Sequence, residues 1–205
     1  MITEWRNIRE RSARFPARQA QGGRYKTKPE SVPPELRSIV FVVPVKQQVP
    51  GALDYLLKLH DSTGNSDLKA DICGALTTTR SAKEATKLLG RIKNPKLVKP
   101  QDADRWLIYL LRNRYVKQTA WDWMVENWSW LEETYKHDKS YDMLPRYAAS
   151  MVNTPEWAEK YQAFFKPKED QLVLKRNILM GLEEIAARVA WLTRDLKPVQ
   201  EFFKS

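Results

Sequence analysis

Of three residue types that often mark chemistry, the 205-residue chain holds little: one cysteine, two histidines and seven glycines. Cys73 alone cannot form an internal disulfide, which fits a reducing compartment and leads us to expect a cytoplasmic protein. His60 and His137 do not lie in H-E-x-x-H, and catalytic zinc needs three protein ligands converging around an open position. No such site is expected in this chain. The run His60-Asp61-Ser62 suggests a triad by its letters, but a triad is assembled in space from separated residues. The glycines form neither GxxxxGK[ST] nor GxGxxG, so no phosphate cradle is indicated. No apolar run of about 18 residues occurs, and none follows a basic start, so neither a membrane span nor a secretory signal is expected.

What the chain does have is tryptophan and positive charge. Five of its eight tryptophans fall between Gln101 and Tyr135. Trp121, Met124, Trp128, Leu131 and Tyr135 make one helical stripe. Trp123 and Trp130 lie seven apart on roughly the opposite side, with Asp122, Glu126, Ser129 and Glu133 between. Two apolar sides predict an inner helix packed between neighbours in a multilayer helical array. The formal charge is +10, and residues 1–32 carry six Arg and two Lys against three Glu, a net +5.

Residues 1–34 show no sustained apolar period, and the reading is a basic, disordered arm before a helical domain over 35–205. Leu36–Val45 is read as a helix interrupted by Pro44. Leu53, Leu56, Leu57 and His60 then share one face, and Ser62–Asn65 is a loop. Leu68, Ile72, Ala75 and Leu76 group together. Ser81 and Glu84 form an S-x-x-E capping box. Arg112–Tyr115 divides the tryptophan region into two helices. Thr154-Pro155 starts another helix, with Trp157, Tyr161, Phe164 and Phe165 inside. A last helix over Lys168–Asp195 carries Leu174, Ile178, Leu182, Ile185, Val189 and Leu192 on one face and is expected to end at Pro198. The expected fold is all-α: eight or nine helices in stacked antiparallel pairs, a HEAT- or armadillo-like solenoid.

Five segments, in this order, carry a resemblance: DADRW (Asp102–Trp106), AWDWMVENWSW (Ala120–Trp130), PRYAAS (Pro145–Ser150), YQAFFKP (Tyr161–Pro167) and the LxRNILxGxEEIxARVAWLxRD pattern from Leu174 to Asp195. Together they resemble the C-terminal helical domain of the aminopeptidase N family of zinc metallopeptidases, of the puromycin-sensitive and endoplasmic-reticulum type, over roughly Leu36–Phe203. In that family a separate catalytic domain holds the HExxH zinc site and a GAMEN-type segment, while the helical domain walls a peptide chamber and closes over it. The resemblance implies a chain with no catalytic residue, cofactor or metal of its own, inactive alone. Its partners would be the zinc-bearing catalytic domain and, through the parent enzyme, peptide substrates. Arg105, Arg112 and Arg146 are the candidate substrate-facing residues, because a guanidinium can pair with a peptide carboxylate. Each could instead pack on an aromatic ring or pair with a helix carboxylate.

Under the same resemblance a β-domain and further helices would precede Leu36. Residues 1–34 show neither pattern, which is expected of a flexible arm or a non-native lead-in. Two other readings stay open. A free-standing helical scaffold would bind a protein or peptide on a concave face. A nucleic-acid binder would use the arm, but tryptophans at core spacing beside acidic residues argue against a stacking platform. Glu132-Glu133 and Glu183-Glu184 point about 100° apart on a helix and cannot act on one atom. Cys73 reads as a small core residue and Arg188 as a partner for nearby Glu.

Overall fold

Four short polar side chains cut this chain into helices. Asn65, Ser81, Asp138 and Thr154 each stand one residue before a helix and accept a backbone N–H of its first turn, from Leu68 (3.0 Å), Glu84 (3.4 Å), Ser140 (2.8 Å) and Trp157 (3.4 Å). Such caps satisfy donors that have no partner inside the helix. The computed structural model describes residues 32–204, so the stretch read as an arm lies, up to residue 31, outside the described residues.

The described residues form ten α-helices and no strand. They are α1 (Pro34–Lys46), α2 (Ala52–Ser62), α3 (Ser66–Leu76), α4 (Ala82–Ile92), α5 (Pro100–Arg112), α6 (Lys117–Glu126), α7 (Trp128–Tyr135), α8 (Lys139–Ala149), α9 (Pro155–Phe165) and α10 (Leu172–Phe202), with a 3-10 turn at Lys166–Lys168. The all-α expectation holds, with ten helices rather than eight or nine. One further break is at Asn127, which splits the tryptophan region again. There the backbone N–H (3.0 Å) and the side-chain Nδ2 (2.7 Å) both reach the Trp123 carbonyl, so the side chain competes with the helix ladder. The ladder resumes at once, Leu131 N–H to Asn127 O at 3.0 Å. The stripe therefore stays in phase, and Trp121, Met124, Trp128, Leu131 and Tyr135 are all buried.

The second apolar side of that region does not behave as expected. Trp123 and Trp130 are half-buried, packed edge-to-face on each other at 6.1 Å. The Trp130 ring also lies edge-on to that of Tyr135 at 5.9 Å. Two prolines also fail to end their helices. Pro44 lies inside α1, close enough to its end that only the last turn is disturbed, and Gln47 still donates to Val43 O at 2.9 Å. Pro198 lies inside α10, which runs on to Phe202. The carbonyl deprived of a partner there belongs to Arg194, on an exposed turn where water can satisfy it.

The chain divides into two compact units, one up to Leu110 and one from Leu111. In the first, α1, α2 and α3 pack mutually around Phe41, Leu56, Ile72 and Leu76, none of them solvent-accessible. His60 is buried there, its ring edge-on to Trp106 at 5.2 Å. The capping box at Ser81 takes a relayed form. Ser81 caps Glu84 N–H, but the Glu84 carboxylate accepts from Thr79 Oγ1, and Thr79 Oγ1 accepts the Ser81 N–H at 3.1 Å.

In the second unit α8 and α10 form the principal pair, with α9 against both. Its core is aromatic. Trp121, Trp128, Tyr161, Phe164 and Phe165 meet with ring centroids 4.6–6.3 Å apart, mostly edge-on. Gly181 of α10 permits this closeness. A Cβ there would collide with the Tyr161 hydroxyl and sit 3.2 Å from Ala149 Cβ. Tyr161 in turn donates to Pro145 O at 3.1 Å. Arg188 donates to the carbonyls of Ala149 and Val152, closing the C-terminus of α8.

Gly181→Ala is expected to lower stability by about 1–3 kcal/mol through overpacking. Gly90→Ala, in an exposed turn of α4 with nothing within 4 Å of the new methyl, should raise it by about 0.4–1 kcal/mol. Denaturant unfolding of both variants reads the contrast, and equal effects would refute the close approach at Gly181. His60 gives a second expectation. Burial, only partly offset by Asp61, holds its pKa below the ordinary 6.5. The neutral ring's contribution is therefore full above that pH and is lost as pH falls through it toward the lower folded value. Unfolding midpoints should drop between pH 7.5 and 5.5, roughly the range of an ordinary histidine's titration, with a shallower slope in His60→Gln. Parallel slopes would show that His60 does not titrate on unfolding.

Candidate functional site

The three arginines singled out from the sequence fall in different settings. Arg105 is exposed on α5 of the first unit. It borders a crevice lined also by His60, Ser66, Lys69, Cys73, Asp102 and Trp106, of about 10 Å³. That is room for one water at most. The crevice brings a histidine, a cysteine and a carboxylate into one lining, yet its chemistry is quiet. Burial pushes the Cys73 thiol up to about 12, so no thiolate forms near neutrality.

Arg112 and Arg146 belong to the second unit. The Arg112 guanidinium lies 5.0 Å from the centroid of the Tyr147 ring, a cation–π contact. Arg146 makes two contacts of 2.9 Å, from Nε and a terminal nitrogen, to one oxygen of Glu184. Arg112 has no carboxylate partner among the described residues, whereas Arg146 is neutralised. Glu132 is occupied too, accepting from Tyr141 (3.0 Å) and Gln171 (2.9 Å) in a polar knot that ties α7 and α8 to the start of α10. Burial and the Glu132 carboxylate push the Tyr141 phenol up, so it stays a donor.

Two features were not visible in the sequence. Lys117 and Lys160 both lie over the Trp157 ring, at 4.6 and 4.9 Å from its centroid. Lys117 donates to Met151 O at 3.2 Å and Lys160 to Gln118 Oε1 at 3.0 Å. Neither is paired with a carboxylate among the described residues. Burial, then the neighbouring Lys160, lowers the pKa of Lys117. Forty-three positions separate the two lysines, so no spacing rule could have joined them.

The second feature is a cleft of about 700 Å³ in the first unit, between the loop Gln48–Gly51 and α4. Gln48 sits there in the left-handed region at φ 55° and Gly51 at 77°. Asp54 pairs with Lys87 at 2.6 Å across it, which leaves Lys83 as a cation with no partner among the described residues. The lining offers hydrogen bonds and charge, with no nucleophile set beside a base. Its one legible sign was the Ser81 box that starts α4.

Among the described residues, no three of His, Cys, Asp or Glu come together as metal ligands. His60 is enclosed by Trp106 and Asp61. These residues do not fit a catalytic zinc, and no step through zinc is assigned to them. No described helix is long and apolar enough to cross a membrane.

The model of the ERAP1-like C-terminal domain family matches residues 10–187. Aminopeptidase N of Lactococcus lactis subsp. lactis is 31% identical over 176 residues, 85% of this chain and 21% of that protein. Aminopeptidase N of Lactococcus lactis subsp. cremoris (strain MG1363) is 35% identical over 161 residues, 78% of this chain and 19% of that protein. Glutamyl aminopeptidase of Rattus norvegicus is 24% identical over 177 residues, 86% of this chain and 19% of that protein. The chain thus spans about a fifth of the length of the curated relatives it matches. All-helical throughout its described residues and matched over most of its length, the chain belongs to the ERAP1-like C-terminal domain family, the helical C-terminal domain of the aminopeptidase N family.

Proposed function

We propose that this chain is the non-catalytic C-terminal part of a zinc-dependent aminopeptidase, walling a peptide chamber and taking part in its closure. The family match over residues 10–187 carries this reading. Zinc would be held by a catalytic domain, and the chemistry would be done there. In this account the helices within each unit pack as antiparallel pairs of the HEAT-like kind, a reading supported by their short connections. The buried free thiol of Cys73 suits a cytoplasmic setting.

Peptide contact falls to the cationic side chains. Arg112 is the strongest of the three arginines, because it has no carboxylate partner among the described residues and rests against the Tyr147 ring. Arg146 would have to leave Glu184, and Arg105 stands among Asp102 and Asp104. A peptide carboxylate bound to Arg112 gains a charge-assisted hydrogen bond, in a geometry lysine cannot copy.

The purified chain is expected to release no amine from leucine p-nitroanilide, with or without added zinc, and yet to bind peptides of about ten residues in calorimetry. Arg112→Ala should weaken that binding by about fivefold or more, equivalent to about 1 kcal/mol, and Arg105→Ala and Arg146→Ala by less. Turnover by the chain itself would contradict the assignment of chemistry elsewhere. Peptide binding indifferent to all three changes would remove the arginines from the contact surface.

A further inference from the structure

The last three turns of α10 present an apolar stripe to solvent. Beyond Ile185 no residue of this helix is buried. Trp191 is 55% exposed, Leu196 and Val199 49% each, Phe202 74% and Phe203 81%. At 100° per residue these five and Leu192 fall within an arc of about 140°. The arc prolongs the side on which Leu174, Ile178, Gly181 and Ile185 pack in the core, so the helix carries its core-facing side past the body that upstream covers it. Asp195 also falls in the arc. It is held ionised by Arg194, which donates to both carboxylate oxygens at 2.8 Å, and by the Trp191 indole. The stripe lies beyond residue 187, where the family match ends.

We propose that this stripe is a self-association surface, on which α10 of a second copy packs antiparallel. Its borders specify the partner. Arg194 and Glu201 are seven residues apart and lie on the same border of the stripe. In an antiparallel pair of identical helices like borders meet. Arg194 then faces Glu201 of the second copy, and Glu201 faces the second copy's Arg194. The Glu201 carboxylate has no partner on its own chain among the described residues. The two-fold axis passes between Lys197 and Pro198, and the same register sets Leu196 on Val199 and Leu192 on Phe203. A parallel pair in register would bring unlike borders together and set Arg194 toward the side of Thr193 and Gln200, away from Glu201.

The area is sufficient. With about 150–250 Å² per fully exposed large aromatic, the stripe offers on the order of 500 Å², the upper range of what monomers leave bare. Two copies would bury on the order of 1,000 Å², about the lower bound of a specific interface. The +10 charge of each chain opposes association. At about 0.15 M salt, however, charges more than about 8 Å apart are largely screened.

Sedimentation equilibrium of the full chain between 1 and 200 μM tests this at 0.15 M salt. A reversible monomer–dimer equilibrium is expected. Arg194→Glu and Glu201→Arg should each weaken it at least tenfold, and the double exchange should restore it to within about threefold. Leu196→Asp, at an exposed position that leaves the core intact, should abolish it, with circular dichroism unchanged. A monomer across the range overturns the proposal. So does a dimer indifferent to both charge reversals, which would use another face. Binding of a separately produced peptidase catalytic domain that requires Leu196 and Phe203 would assign the stripe to that partner and overturn it as well. None of these readings depends on peptide binding or on Arg112.

Discussion

The second unit rests on one close approach. Gly181 lets α10 lie against α8 and α9 at a distance no side chain would tolerate, with the Tyr161 hydroxyl in the space a Cβ would fill. That hydroxyl is fixed by Pro145 O at 3.1 Å, and burial keeps it protonated as a donor. Around this point the other contacts become possible. The ring of Tyr161 reaches Phe165 at 4.6 Å, Arg188 reaches the carbonyls at the end of α8, and Arg146 finds Glu184. Interiors packed at crystal-like density transmit a displaced methyl to all of these. The Arg146–Glu184 pair thus lies between the two helices that Gly181 lets approach.

Helical identity was legible because the apolar period and the caps agree. Asn65, Ser81 and Thr154 are short side chains with oxygen acceptors, and their offset from the following apolar face marks each helix start without tertiary information. The extra break at Asn127 was hidden, because the apolar stripe keeps its phase across it. Pro44 and Pro198 show the opposite failure. Proline weakens a helix by a known amount, but whether the helix continues depends on where the orphaned carbonyl points, and that is a property of the fold.

The candidate site was less legible for a related reason. Arg105, Arg112 and Arg146 are cations on helices, and sequence places a residue on a helix without saying what stands opposite. Glu184, which neutralises Arg146, is thirty-eight positions away, and Tyr147 meets Arg112 from another helix. The paired lysines over Trp157 likewise exist only once α6 and α9 are side by side. Among the tryptophans, Trp121 and Trp128 followed the core period into the interior. Leu196 keeps the period of Leu174, Ile178 and Ile185 and yet stands half in solvent, because periodicity reports which side of a helix is apolar and not how far the covering layer extends. The surfaces that periodicity leaves unread are charge over aromatic rings, a polar cleft beside α4, and an uncovered helix end.

A double-mutant cycle between Tyr161 and Gly181 tests the close approach directly. Tyr161→Phe removes the hydroxyl nearest the missing Cβ and sacrifices one hydrogen bond, about 1 kcal/mol. If the approach is as described, Gly181→Ala is better tolerated in the Tyr161→Phe background than beside the native tyrosine, with a coupling of roughly 1 kcal/mol or more in equilibrium unfolding. Additive costs would mean that the hydroxyl and the glycine do not share that space, and that another contact holds α10 against α8 and α9.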